Sequence, residues 1–237
     1  MPDGPGTLYV VATPIGNLED ITLRAIKVLS SVDLIAAEDT RKTKILLDRY
    51  NIVKPMVSYF SYNERHRTPQ LIERLLAGNS IALVSDAGTP GISDPAYLIV
   101  TQALAHGIPV TPIPGASAFI AALTVGGLST DRFVFEGFLP QKKGRKTKWE
   151  SLKGETRTIV LYESPHRVRK TLAEISTYLG NRNIVIAREL TKKFEEVLRG
   201  PVEALLPEMG KKEPRGEFVI LIEGKGRDDA GDDEPDH

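Results

Sequence analysis

The 237-residue chain contains no cysteine. That absence removes disulfides, zinc ribbons, iron–sulfur clusters and thiol nucleophiles together, and it fits a reducing compartment. No run approaches the roughly 18 apolar residues of a membrane span, and the opening MPDGPG offers no basic or apolar leader. A soluble, cytoplasmic protein with no membrane partner is expected. Several chemical signatures are missing as well. No G-x-G-x-x-G follows the first strand-like run, and P-loop, H-E-x-x-H, EF-hand and G-x-S-x-G patterns are absent. The four histidines, His66, His106, His166 and His237, are scattered without metal-ligand spacing, so no metal is expected.

Net charge is also lacking, with 31 basic and 31 acidic residues, yet the balance is uneven. Residues 225–237 hold six acids and two bases, leaving 29 basic against 25 acidic residues before them. That Gly/Asp-rich tail has almost nothing apolar and is expected to be disordered. Thr40–Arg67 and Gln141–Arg157 each carry seven bases against two acids. Either stretch alone reads most simply as a solvated face. Two of them in one neutral chain point to a polyanionic partner, with Arg41, Lys42, Arg65, Lys142, Lys143, Arg145, Lys146 and Lys148 as candidate contacts.

What the sequence does have is a series of short apolar runs. They are LYVVA from Leu8, DLIAA from Asp33, IALVS from Ile81, IPVTPI from Ile108, FVFEGF from Phe133, TIVLYE from Thr158, NIVIA from Asn183 and EFVILIE from Glu217. Most are β-branched without period-2 alternation, the pattern of strands buried on both faces. Helical patterns lie between them, over 21–29 and 69–77. Further ones over 95–105 and 165–179 open on proline behind Asp94 and Ser164 as expected caps. The alternation predicts two α/β domains with largely parallel, mixed sheets, over residues 7–115 and 116–224, and a ligand cleft between them.

The strands run into unusual loops: TPIGN, EDTR, SDAGTPGISDP, PIPGAS, YESPHR and RELTKKFEE. Open α/β sheets bind ligands at the carboxyl ends of their strands, where loops and helix N-termini converge. In SDAGTPGISDP, Ala87, Gly88 and Gly91 allow close backbone approach, and Asp86 and Asp94 supply carboxylates. Helix capping accounts for Asp94; a plain connection does not require the rest.

Together, TPIGNLEDIT, AEDTR, SDAGTPGISDP, PIPGASA, YESPHR, RELTKKFEE and RGEFVILIEG closely resemble the tetrapyrrole-methylase superfamily, in the family's order from Leu8 to Gly224. Within it they are most similar to the ribosomal RNA small-subunit methyltransferase branch. Porphyrin-precursor members typically open with a GxGPGD-like loop, where this chain has TPIGN. The resemblance implies a homodimeric enzyme that uses S-adenosylmethionine to methylate the ribose 2′-hydroxyl of a decoding-centre cytidine in 16S rRNA of the small subunit. It assigns the cofactor to Pro14, Asp86, Ala87, Gly88, Ile92, Ser93, Ser117 and Ala118, with Tyr162 and Leu190 from the second domain.

Methyl transfer to an alcohol requires in-line approach and removal of a proton. The candidates for that chemistry are Glu163, Glu189, Lys192 and Lys193, with Arg167 in support. Two other readings compete: the same fold acting on a porphyrinoid or protein acceptor, and a non-catalytic RNA-binding or assembly protein.

Overall fold

The computed structural model describes residues 4–210 and 213–226, so the tail expected to be disordered lies, from residue 227 on, outside the described residues. The chain divides between Ser117 and Ala118 into two compact units.

The first unit runs β1 (Leu8–Val11), α1 (Leu23–Ser31), β2 (Leu34–Ala37), α2 (Thr40–Arg49), β3 (Met56–Ser58), α3 (Glu64–Leu76), β4 (Ile81–Val84), α4 (Tyr97–Ala105) and β5 (Val110–Ile113). Its five strands form one sheet in the order β3-β2-β4-β1-β5, and every ladder is parallel. Strand alternation sends Leu34 and Ala36 to one face, with Leu71, Leu75, Ile99 and Ala103 of α3 and α4. It sends Ile35 and Ala37 to the other, with Ala25, Leu29, Leu46 and Leu47 of α1 and α2. Burial on both faces is why these strands read as unbroken apolar runs. Because all five strands point the same way, every strand-end loop of this unit emerges at one edge.

The second unit contains α5 (Ala118–Gly126), β6 (Phe133–Phe138), α6 (Arg145–Leu152), β7 (Thr158–Glu163), α7 (Val168–Leu179), β8 (Asn183–Arg188), β9 (Glu196–Pro201), α8 (Val202–Gly210) and β10 (Phe218–Ile222). The sheet order is β6-β7-β10-β8-β9. Only β6 and β7 pair in parallel; β10 is antiparallel to both neighbours, and β8 to β9. This sheet is therefore mixed, with antiparallel ladders outnumbering the parallel one. Continuous apolar runs report burial and carry no information about strand direction. One face packs on Trp149, Val168, Leu172, Ile175 and Val202 of α6, α7 and α8. Helix α5 covers the other so closely that a Cβ on Gly126 would come within 2.6 Å of Leu221 Cδ1.

The helix expected over 69–77 begins earlier, at Glu64, and carries Pro69 inside it, and the two helices expected to open on proline begin after their prolines. Helix α4 begins at Tyr97 behind Ala96, and Asp94 does not cap it. Helix α7 begins at Val168; Ser164 closes the preceding turn through its carbonyl, which accepts from the backbone N–H of Arg167 and Val168. For α4 and α7 the proline marks a turn ahead of the helix.

Candidate functional site

At the carboxyl edge of the first sheet, four loops are laced together around SDAGTPGISDP. Thr13 and Gly88 exchange backbone hydrogen bonds of 2.8 and 3.0 Å, an isolated antiparallel bridge that joins the loop after β1 to the loop after β4. Thr89 Oγ1 donates to the Ala116 carbonyl at 3.3 Å, bringing in the loop after β5. The backbone N–H of Asp39 donates to Asp86 Oδ1 at 2.9 Å, and Lys42 Nζ lies 2.7 Å from Asp86 Oδ2, bringing in the loop after β2. A Cβ on Gly115 would stand 3.0 Å from that of Ala12, so the loops after β1 and β5 nearly touch through their backbones.

The loop after β4 is unusual in its backbone. Gly88 and Gly91 sit at φ of +84° and +89°, and Ser93, a residue with a side chain, at +69°. Such conformations cost free energy in an L-residue and concentrate at functional loops. Pro14 and Gly88 are buried; Asp86, Ile92, Ser117 and Ala118 are half-buried; Ala87 and Ser93 are exposed. The exposed rim therefore consists of small residues.

Four carboxylates, Glu38, Asp39, Asp86 and Asp94, gather at this edge. Asp94 is pushed up to about 6, chiefly by burial and then by the charges of Glu38 and Asp86, with a hydrogen bond from Ser85 pulling partly back. The Arg41 guanidinium forks onto Asp39 and holds that carboxyl at about 2. Lys42 is held above the usual lysine range by its bond to Asp86. The sequence offered Glu38 and Asp39 only as loop composition; that they brace Asp86 is visible only in three dimensions.

In the second unit the carboxyl ends of β6, β7 and β8 share an edge with the starts of β9 and β10, as the pairings Glu163↔Phe218 and Arg188↔Glu196 require. YESPHR and RELTKKFEE both lie along it. Tyr162 is half-buried, its ring centroid 5.1 Å from that of Phe135 and 5.6 Å from that of Phe138, and Leu190 is buried.

Here several expectations are overturned. The Glu163 side chain is 0% exposed, so it cannot take a proton from an acceptor at the surface. It accepts from Ser164 N–H, Arg167 Nε and Thr171 Oγ1 at 2.7–2.8 Å, which uses up its carboxylate. Arg145, expected among the phosphate contacts, is only 5% exposed. It lies against Glu174, donates to the Pro140 carbonyl and Thr171 Oγ1, and stands 3.9 Å from Glu163. Arg167 is committed to Glu163 and to the Leu139 carbonyl. These residues form the buried polar core that joins α6 to α7. The rest of the basic stretch divides: Lys142, Lys143 and Lys146 are exposed, whereas Lys148 is paired with Glu136. In the first unit Arg41, Lys42 and Arg65 are exposed, the first two engaged with Asp39 and Asp86 as described.

RELTKKFEE forms a tight turn. Glu189 and Thr191 adopt φ of +50° and +67°. Lys192 Nζ bridges Glu189 Oε1 and Glu217 Oε2, each at 2.8 Å, and the Glu217 N–H donates to the same Glu189 carboxylate at 3.0 Å. Burial works against both charges, but the pairing prevails: the Glu189 carboxyl is lowered and the Lys192 ammonium raised. Neither is therefore tuned toward proton acceptance near neutrality. Lys193 is exposed, 5.7 Å from the centre of the Phe194 ring. The partner that fixes Glu189 is Glu217 in RGEFVILIEG, a motif whose charged residues sequence reasoning left without a role.

The model of the Tetrapyrrole (Corrin/Porphyrin) Methylases matches residues 7–206. The chain belongs to this family. Family relatives described as ribosomal RNA small subunit methyltransferase I include one from Halalkalibacterium halodurans. It is 51% identical over 225 residues, covering 94% of this chain and 78% of the relative. Another, from Thermotoga maritima, is 47% identical over 220 residues, covering 93% and 99%. Among solved structures, a diphthine synthase superposes with a TM-score of 0.72 at 18% identity, covering 93% of this chain and 90% of that one. A uroporphyrin-III C-methyl transferase from Thermus thermophilus, complexed with S-adenyl homocysteine, superposes at 0.65 and 20% identity, covering 92% and 97%. These two likenesses establish the tetrapyrrole-methylase fold.

Proposed function

We propose that this chain is an S-adenosylmethionine-dependent methyltransferase acting on small-subunit ribosomal RNA. One observation carries the reading: relatives bearing that description are 47–51% identical to it over more than nine-tenths of its length. The finer assignment, to the ribose 2′-hydroxyl of a decoding-centre cytidine in 16S rRNA, follows from the motif resemblance, as do a homodimer and a cytoplasmic location. No described helix is long and apolar enough to cross a membrane.

The residues at the first unit's carboxyl edge fit the cofactor. The small exposed residues Ala87, Gly91 and Ser93, with half-buried Ser117, suit a carboxylate and ribose hydroxyls, while Glu38, Asp86 and Asp94 place negative charge where a cationic ligand is favoured. When bound, S-adenosylmethionine supplies an electrophilic methyl group. The chain's own task is then to position the acceptor, which accounts for ~7–11 kcal/mol of barrier reduction in well-oriented reactions. The Glu189–Lys192–Glu217 cluster holds a stiff turn that presents Lys193, and we assign acceptor orientation to that turn. Lys142, Lys143 and Lys146 contribute phosphate contacts.

The experiment is transfer of labelled methyl from S-adenosylmethionine to 30S subunits, with uroporphyrinogen as the competing acceptor. Label appears in the RNA and maps to one ribose. Label in the porphyrinoid alone overturns the reading.

A further inference from the structure

We infer that Phe194 is a stacking platform for an unpaired nucleobase of the RNA, with Lys193 beside it for the adjoining phosphate; the inference rests on the proposed action on RNA. Phe194 is 67% exposed, although burying such a ring is ordinarily worth a few kcal/mol. A lone exposed aromatic ring is unremarkable; the turn that carries this one is not.

Of the four non-glycine residues with positive φ among those described, Glu189 and Thr191 both lie in this turn. Its shape is held against that cost by bonds converging on it. Glu189 and Glu217 clasp Lys192 between them, and the Thr191 N–H donates to Glu195 Oε2. Gly216, at φ +89°, leaves open the space that the Glu189 carboxylate occupies. All of these contacts secure the base of the turn. Its tip, Lys193 and Phe194, is left exposed on a rigid support.

A cation next to an exposed aromatic face matches the chemistry of a splayed nucleotide, whose base offers a π-surface and whose phosphate offers a negative charge. A ribose hydroxyl inside a stacked helix is hard to reach, so an enzyme acting on it gains from holding a base out of the stack. The turn follows β8 at the edge that also carries YESPHR, where the expected acceptor-side residues of this unit gather.

Full-length wild type, Phe194→Leu and Phe194→Trp test this. Each is photocrosslinked to a short single-stranded RNA carrying 5-iodouridine and assayed for methyl incorporation into 30S subunits. Wild type and the Trp variant are expected to crosslink at position 194. The Leu variant, which keeps apolar bulk without a π-face, is expected to lose the crosslink and about tenfold in kcat/KM. Cofactor affinity and Tm stay unchanged, since the ring is exposed.

A Leu variant equal to wild type in kcat/KM, with crosslinks mapping elsewhere, overturns the platform while leaving the rRNA reading intact. Wild type that neither crosslinks RNA nor methylates 30S subunits overturns both. A Leu variant that changes the oligomeric mass by light scattering, with RNA crosslinking unmoved, makes Phe194 a protein contact and overturns the proposal.

Discussion

Glu189 and Gly216 are fitted to one another: a Cβ at 216 would fall on Cγ, Cδ and Oε1 of the glutamate. The glycine also sits at φ +89°, where an L side chain is strained. Gly216→Ala is therefore expected to cost about 1–3 kcal/mol and to push Glu189 off Lys192. Urea unfolding measures the first effect. The second appears as a drop in methyl transfer, with cofactor affinity retained.

Asp94 gives a pH signature. Its carboxyl is raised from 3.8 to about 6, so the folded state binds that proton more tightly than the unfolded chain does. The associated stability is fully present below about pH 4 and is lost as pH rises through about 6. At neutral pH the ionised Asp94 is a liability. Asp94→Asn is expected to raise Tm at pH 7.5 relative to wild type, with the gain shrinking toward zero near pH 4. A gain of equal size at both pH values would contradict this.

The sequence made most of the architecture legible, for a definable reason. Each of the eight apolar runs became a strand, six of them central strands that bury both faces and two, β5 and β6, edge strands that are apolar but only partly buried. The other two edge strands were harder to see. β3 is three residues long and half-buried, and β9, EVLRGP, has no fully buried position. Strand direction in the second sheet was likewise invisible. At the site, small residues pointed correctly to a shared edge because glycine and proline report backbone geometry directly. Charged residues misled, since a letter in a charge run does not say which way its side chain turns. Arg145 belongs to KKGRKTK in sequence and to the protein interior in space.

That difference separates two kinds of variant in one stretch. Lys142, Lys143 and Lys146 changed together to Gln are expected to flatten the salt dependence of RNA binding by about two units of slope, at ~0.7 per contact, with stability unchanged. Arg145→Gln removes the buried guanidinium from Glu174 and Thr171, leaving Glu174 to Trp149 Nε1 and Lys170 and Thr171 to Glu163, and is expected to destabilise the fold by about 3–5 kcal/mol. Nitrocellulose binding across salt concentrations and chemical denaturation measure the two effects.

For the loop after β4, Gly88→Val sets a branched side chain at φ +84° beside Ile15 Cγ2 and the Ala116 carbonyl. We expect a loss of about 1–3 kcal/mol in stability and at least ~10-fold in S-adenosylmethionine affinity by calorimetry. Unaltered affinity would remove this loop from the cofactor site.

On the acceptor side, Glu189→Gln and Lys193→Ala are each expected to slow single-turnover methyl transfer at saturating cofactor on the order of a hundredfold, as a misplaced acceptor would. The Glu189 carboxyl is held below its ordinary value, so it stays ionised across the neutral range. The ascending limb of the pH–rate profile should therefore survive in the Gln variant. Its disappearance would make Glu189 the proton acceptor after all.

The place of β10 bears on how the chain is made. The first sheet has all its strands once Ile113 has been synthesised, and its last strand simply joins an edge. In the second sheet the last strand to emerge is the middle one, lying between β7 and β8. A nascent chain still attached at residue 200 would hold two unpaired inner edges, each a template for pairing with another chain. Premature termination shortly before Phe218 should therefore yield an aggregation-prone product rather than a trimmed enzyme, whereas a stop just after the first unit should not.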